Sequence, residues 1–168
     1  MHTGGEEFFV LEGVFQDEHG DFPAGSYIRN PPGTSHTPGS EPGCTIFVKL
    51  WQFDPDDRAD LRLDTNTMPF ETHPSNDSVK LMPLFMDKSE KVSLQQWDAG
   101  AKIDLDALNG LEILVLEGGF KEAGEDFAPQ SWLRLPKNTR STATAGPSGA
   151  RVWAKRDHLA EMPKPPGV

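Results

Sequence analysis

The sequence contains very little cysteine, no long apolar segment and a deficit of positive charge. Its single cysteine, Cys44, excludes an internal disulfide framework and a zinc site of the CxxC type. No apolar run approaches the length of a membrane-spanning helix, and no secretory signal is visible. The formal net charge of −10 argues against nucleic acid and anionic membrane as partners, because both require basic patches. We therefore expect a soluble, cytoplasmic protein.

The sequence also lacks any long stretch with the period of an amphipathic helix. At most a short helix fits within residues 56–63 or 157–162. Instead, 16 glycines and 15 prolines punctuate short apolar segments such as EEFFVLEGVF, SYIRNPPG and CTIFVKLWQF. Short strands with regular turn signals predict an all-β sandwich or barrel.

The chain contains an internal repeat with an offset of 105 residues. GEEFFVLEGVF, which starts at Gly5, aligns with GLEILVLEGGF, which starts at Gly110, and residues 5–37 are identical to their counterparts at 14 of 33 positions without a gap. We infer a duplication, and predict two barrels in one chain. The predicted organisation is a first repeat over 1–53, a connection over 54–90, a second repeat over 91–160 and a tail over 161–168.

The first repeat carries side chains suited to a divalent metal ion. Alternate residues of a strand face the same way, so His2 and Glu6 are expected on one face. The Pro-Gly turn in NPPGTSH then delivers His36 from a neighbouring strand. Imidazole and carboxylate groups are suitable ligands for divalent transition metals. On spacing alone, the alternative is an ordinary surface or hydrogen-bonded histidine.

These residues fall within two spaced motifs that resemble those of the cupin family. The pattern H-x3-E-x6-G starts at His2 and matches the first cupin motif from its second histidine onward. The pattern G-x5-P-x-G-x2-H starts at Gly25 and ends at His36, matching the second motif, although Ser40 replaces its final asparagine. The sequence of residues 2–53 is similar to those of the ChrR-like cupins. These include the sensory half of a zinc anti-sigma factor and relatives of acetylacetone-cleaving dioxygenases.

The resemblance implies a fold, a cofactor and partners. It implies a tandem cupin, or bicupin, in which each repeat is a double-stranded β-helix of the jelly-roll type. It implies that His2, Glu6 and His36 bind one divalent metal ion, with Zn2+ or Fe2+ favoured and Mn2+ or Ni2+ left open. A small-molecule ligand or substrate and a homodimer are also implied; a sigma factor would be a partner only if an N-terminal domain exists.

The first repeat departs from the family pattern at its start. The first histidine of the cupin motif would stand two residues before His2, a position that the sequence does not contain. The second repeat has a strand and turn over residues 92–103 before its copy of the motif. We therefore expect the N-terminal strand of the first repeat to belong to a longer natural protein.

The second repeat has lost every predicted ligand. At the same offset, the absent first histidine corresponds to Leu105, and the three ligand positions correspond to Ala107, Leu111 and Ser141. None of these side chains binds a metal well, and the leucines would fill the barrel. We expect this repeat to be metal-free and to act as a structural, interface or small-ligand module.

Three functions remain open from the sequence. The first is a dioxygenase-like enzyme whose metal lies in an apolar barrel, and its expected wall residues are Phe8, Val10, Ile28 and Phe47. The second is a ChrR-like sensor that holds a metal and signals to a partner without catalysis. The third is a metal-storing or purely structural bicupin. No catalytic side chain is assigned.

Three further residues have ordinary structural roles as their simplest interpretation. Glu7 is out of phase with Glu6, so it is expected to face solvent. Cys44 could be a reactive thiol, but a small buried residue is the commoner role of a lone cysteine. His158 has no partner pattern and is expected at the surface.

Overall fold

The computed structural model describes residues 1–161, and within them it contains strands and turns but no helix. Accordingly, no helix in this range is long and apolar enough to cross a membrane. The strands of the first half are β1 (Glu6–Asp17), β2 (Gly20–Pro23), β3 (Ser26–Asn30), β4 (Cys44–Leu50) and β5 (Leu61–Asp64). Those of the second half are β6 (Glu71–His73), β7 (Asn76–Met86), β8 (Lys91–Trp97), β9 (Lys102–Ala107), β10 (Leu111–Glu122), β11 (Glu125–Phe127), β12 (Trp132–Leu135) and β13 (Thr139–Arg156).

The chain divides into two compact units, one formed by Met1–Met68 and one that begins at Pro69. In the first unit, β1 is the central strand of an antiparallel sheet with the order β2-β1-β3-β5, and β4 also pairs with β1. In the second unit the order is β11-β10-β13-β8-β7-β6, with β12 paired to β10 and β9 paired to β13. The duplicated strands β1 and β10 thus hold the same place in the two sheets.

The predicted connection over residues 54–90 contains three strands. β5 pairs with β3, and β6 and β7 extend the second sheet beyond β8. The short helix that the sequence allowed within residues 56–63 does not form, and residues 61–63 belong to β5. Residues 157–161 form turns and bends, and residue 162 and most of the predicted tail lie outside the described residues.

Each duplicated strand bends at the shared sequence VLEG. In β1 the pairing with β4 shifts register between Val10 and Glu12, and Gly13 follows with a φ of 72°. In β10 the shift falls at the equivalent place, and Gly118 has a φ of 68°. A β-bulge with glycine in the left-handed region bends and twists a strand. As a result Phe8 and Phe15, on either side of the bulge, pack against each other with ring centroids 4.6 Å apart and ring planes tilted by 53°.

Apolar side chains from the inward face of each sheet fill each unit. In the first unit Phe8, Val10, Phe15 and Ile28 form a buried cluster, with Phe22 and Ile46 packed against it. In the second unit the cluster is larger and includes residues from β7 to β13. Aliphatic and aromatic groups therefore fill the interior of each unit, and they exclude water from the side chains that pack against them.

A row of charged residues crosses the other face of each sheet. In the first unit, Glu7 of β1 is opposite Arg29 of β3 and Lys49 of β4. Glu7 and Arg29 are each 1% exposed and Lys49 is 6% exposed, so the expectation that Glu7 faces solvent is wrong. The second unit repeats the row with Arg134, Glu112 and Lys155, although Arg134 is half exposed. In the first unit, burial of the charges is offset by pairing, including a contact of 2.5 Å between Arg29 Nη2 and Asp57 Oδ2.

Candidate metal centre

The three residues predicted as metal ligands lie together in the first unit. One ligand atom from each of His2, Glu6 and His36 lies within 4.8 Å of the others. His36 Nε2 is 3.1 Å from Glu6 Oε2, and His2 Nε2 is 3.7 Å from the same oxygen. In residues 1–161 this is the one group of three or more His, Cys, Asp or Glu side chains with such spacing.

His2 is positioned by the loop that carries His36 rather than by strand alternation. β1 begins only at Glu6, so the expectation that a strand places His2 beside Glu6 is wrong. Instead, the backbone N–H of His2 donates to the carbonyl of Thr34, and the N–H of Gly33 donates to the carbonyl of His2, both at 2.8 Å. Two backbone hydrogen bonds therefore fix the first histidine against the segment that leads to the second.

Glu6 is held by a polar relay from two neighbouring strands. The Asn30 side-chain amide donates to Glu6 Oε2 at 2.9 Å, and Arg62 Nη2 donates to Asn30 Oδ1 at 3.3 Å. Asn30 is directly opposite Glu6 in the β1–β3 pairing and is buried. The relay orients the carboxylate, so that the oxygen that receives the Asn30 hydrogen bond is also the one that faces both histidines.

His36 lies between two carboxylates. Its Nε2 faces Glu6, while its Nδ1 is 2.9 Å from Oδ2 of Asp17, the last residue of β1. Burial alone would raise the pKa of Asp17, but hydrogen bonds from His36 and from the backbone N–H of His19 outweigh it and bring the pKa below its usual value. Sequence reasoning missed Asp17 because it lies eleven residues beyond Glu6 and reaches the site only through the bend in β1.

The donor set fits a divalent metal ion. Ligand atoms bound to one ion at about 2.0–2.2 Å lie roughly 3–3.5 Å apart, close to the 3.1 and 3.7 Å found here. His2 Nε2 is buried and has no hydrogen-bond partner among the described residues, which is costly for an imidazole nitrogen unless something binds it. Burial lowers the pKa of His2 below its ordinary value; Glu6 opposes this shift and His36 adds to it. The neutral imidazole that results is the metal-binding form.

The equivalent positions of the second unit contain no such donors. Leu105, Ala107 and Leu111 are fully buried members of its apolar cluster. Ser141, at the position of His36, donates a short hydrogen bond to Glu122, which is the counterpart of Asp17. The second unit thus retains an acid at the position of Asp17 but has apolar side chains at the other equivalent positions.

Three other expectations were wrong. Phe47 pairs with Phe9 in the β1–β4 register and is not part of the inward cluster, to which Ile46 contributes instead. Cys44 is exposed rather than buried. The His158 side chain is only 4% exposed, with its Nε2 3.3 Å from Glu112 Oε2, so it is not a surface residue.

The sequence pattern of the ChrR cupin-like domain matches residues 1–54, about a third of the chain. This range contains β1 to β4 together with His2, Glu6 and His36. No curated protein is similar enough to the chain to count as a match.

Several solved structures share the fold over most of the chain. A candidate dioxygenase from Nostoc punctiforme PCC 73102 has a TM-score of 0.72 at 18% identity, covering 95% of this chain and 64% of its own. A cupin 2 conserved barrel domain protein from Leptotrichia buccalis has a TM-score of 0.63 at 11% identity, covering 93% and 74%. A candidate acetylacetone dioxygenase from Methylibium petroleiphilum PM1 has a TM-score of 0.54 at 10% identity, covering 61% and 79%.

These similarities show a shared fold alone, because the three sequence identities are 18%, 11% and 10%. The chain spans less than two thirds of the length of the Nostoc protein. The prediction of an all-β tandem cupin is confirmed, as is the resemblance to ChrR-like cupins. The chain has the cupin fold, and its first 54 residues carry the ChrR cupin-like pattern.

Proposed function

We propose that the first unit is a metal centre in which His2, Glu6 and His36 bind one divalent ion. The observation that carries this proposal is the convergence of three donor atoms, of which His2 Nε2 is buried without a hydrogen-bond partner among the described residues. Two imidazoles and one carboxylate accept Zn2+, Fe2+, Mn2+ or Ni2+, and affinity order alone does not select among them. Three protein ligands also leave coordination positions for a small molecule.

The second part of the proposal is a dioxygenase-like activity on a small oxygen-containing molecule. A bound divalent ion would supply Lewis-acid or redox chemistry at a substrate oxygen. The chain contributes the orientation of Glu6 through Asn30, and apolar surroundings that limit water around the site. Phe15 lies against His36 with ring centroids 5.6 Å apart, so a ligand that combines an oxygen donor with an apolar body fits these surroundings. Two of the structural relatives are described as candidate dioxygenases, which supports the same class.

A second candidate is a metal-dependent regulatory module without catalysis. It is favoured by the match of residues 1–54 to the ChrR cupin-like domain, which covers the whole metal cluster. In this case the ion would stabilise one conformation for a protein partner, and no substrate would be turned over. A sigma factor or a second copy of the chain would then be the partner to examine.

Metal analysis of matched variants tests the centre. Purified protein is expected to retain one ion per chain after dialysis, and His36→Ala is expected to lose most of it because one of three ligands is removed. Ser141→Ala alters the equivalent position of the second unit and should retain the wild-type metal content. Unchanged metal in His36→Ala would overturn the proposal.

Oxygen consumption separates the two candidate functions. Iron-loaded protein is expected to consume dioxygen with at least one member of a panel of β-diketones and phenolic compounds. His36→Ala should abolish the signal and Ser141→Ala should not. Absence of turnover across the panel, together with tight zinc binding, would favour the regulatory module.

A further inference from the structure

We propose that Asp17 is a positioning residue for the metal centre, holding the His36 ring so that Nε2 is presented to the ion. The inference rests on the metal site proposed above and concerns a residue outside the cupin motifs. Asp17 Oδ2 is 2.9 Å from His36 Nδ1, and the two side chains are 2% and 5% exposed. The contact is therefore shielded from water, which strengthens a hydrogen bond that involves a charged acceptor.

The bend in β1 is what brings Asp17 to this ring. A straight strand of twelve residues would separate its ends by roughly 35 Å, because each residue advances about 3.3 Å. The bulge that ends at Gly13 folds the strand over the apolar cluster, and Glu6 and Asp17 contact the two nitrogens of one imidazole. The segment after His36 is tied to the same end of β1 by paired backbone hydrogen bonds between Gln16 and Gly39.

The contact with Asp17 occupies one ring nitrogen and leaves the other for the ion. An ionised carboxylate only accepts hydrogen bonds, so Nδ1 is the donor to Asp17. Nε2 lies 3.1 Å from Glu6 Oε2, where the ion would bind in place of any proton that this nitrogen shares with Glu6. A carboxylate on the far nitrogen of a metal-bound histidine fixes the ring and raises its basicity as a ligand. Asp17 would thus organise the site before the ion arrives.

The second unit supplies the comparison that separates this role from a structural one. Glu122 occupies the position of Asp17 and accepts a hydrogen bond from Ser141, the counterpart of His36. An acid at this position can therefore tie the following segment to the strand without a metal ligand. If Asp17 served only to tie the segment around His36 to β1, then replacing Asp17 or Glu122 would lower the stability of the fold and would leave metal affinity unchanged.

Metal affinity and the tautomer of His36 test the proposal. The variants are Asp17→Asn, which preserves the shape, Asp17→Glu, which preserves the charge, and Glu122→Gln as the control in the second unit. Competition with a chelating dye is expected to give Zn2+ binding about 10–100-fold weaker for Asp17→Asn, with partial recovery in Asp17→Glu and wild-type affinity in Glu122→Gln. The visible spectrum of the cobalt-loaded protein should change in Asp17→Asn alone.

Nitrogen NMR of the metal-free protein provides a readout that does not depend on binding. His36 Nδ1 should carry a proton in the wild type, whether or not Nε2 also donates to Glu6, and the fraction of protonated Nδ1 should fall in Asp17→Asn. Equal zinc affinity in wild type and Asp17→Asn, or a wild-type Nδ1 without a proton, would overturn the inference. Failure of the wild type to bind any divalent metal would overturn the proposed metal centre itself, and this inference with it.

Discussion

Tyr27 is the single tyrosine of the chain, and its side chain is fully buried. Its hydroxyl donates to Glu7 Oε1 at 2.5 Å. Burial and the charge of Glu7 raise the pKa of the phenol well above 10, although Arg29 opposes the shift. Because the folded state holds this proton more tightly than the unfolded state, the stabilisation from Tyr27 is present below pH 10 and is lost as pH rises toward the folded pKa.

A spectrophotometric titration checks this pKa without interference from other tyrosines. Phenolate absorbance is expected to appear only together with loss of the native circular dichroism, at a pH well above 10. Tyr27→Phe should unfold less steeply with alkaline pH, because it removes that proton linkage. Phenolate absorbance that rises near pH 10 in protein with native circular dichroism would contradict the prediction.

At the residue scale, the sequence identified the three candidate metal ligands that lie together, but not the groups that orient them. His2, Glu6 and His36 fall within spaced motifs, and imidazoles near a carboxylate have recognisable chemistry. Asn30 and Asp17 could not be found in the same way, since an amide and an acid acquire their roles only from the β1–β3 pairing and the bend in β1. Glu7 was placed on the correct face of its strand, but the sequence did not indicate that this face is buried.

At the scale of elements, the bulge in VLEG is the feature that shapes each barrel. Gly13 has a positive φ, and a side chain there would meet the carbonyl oxygen of Gly43 at 2.0 Å. Gly118 has the same relation to the carbonyl oxygen of Gly149, at 2.2 Å. Both copies therefore require glycine for the backbone conformation and for the close approach of another strand.

Gly13→Ala is expected to lower the free energy of unfolding by about 3 kcal/mol or more, because left-handed strain adds to a backbone collision. Gly43→Ala is the matched control, since its φ is 85° but a Cβ there meets nothing within 4 Å. Its cost should be about 1–2 kcal/mol, from strain alone. Chemical denaturation measures both values, and equal losses in the two variants would remove the role assigned to the close approach.

Strands were predictable from the sequence where a mostly apolar segment is buried on both faces, and short, partly exposed strands were missed. β1 and β10 contain four or more consecutive buried residues, and their sequences identified them directly. β5, LRLD, alternates apolar and polar residues over only four positions and is partly exposed. Its sequence resembles its polar surroundings, and only pairing with β3 makes it a strand. The same explanation applies to the short strand β6.

At the scale of the whole molecule, the two units differ in the number of strands and in what lies at the ligand positions. The bulge, the charged row and the acid at the end of the duplicated strand occur in both. The candidate metal ligands occur in the first unit, and fully buried apolar groups replace them in the second, apart from Ser141. Metal binding is therefore expected to stabilise the first unit and to leave the second unit unchanged.

Hydrogen exchange of the metal-free and zinc-loaded protein tests this expectation. Zinc should slow exchange in residues 2–10 and 31–37, which carry the ligands and the backbone contacts of His2. Residues 107–115 and 136–142 of the second unit should exchange at unchanged rates. His36→Ala should abolish the zinc effect. Comparable protection in both sets of peptides would mean that the ion binds elsewhere or reorganises the whole chain.

The charged row has a consequence for how the chain sorts its own strands. Arginine, glutamate and lysine recur in the same order in both units, so the order of charges in the row does not by itself keep β1 out of the second sheet in place of β10. Such exchanges are a characteristic misfolding route of duplicated chains. The exchange would place Glu6 between Leu135 and Arg156 and would leave Asn30 opposite Leu111, where its side-chain amide would lose the acceptor it has in Glu6, at a cost of at least about 2 kcal/mol for that buried group. Asn30 is thus also expected to direct each copy of the repeat to its own barrel.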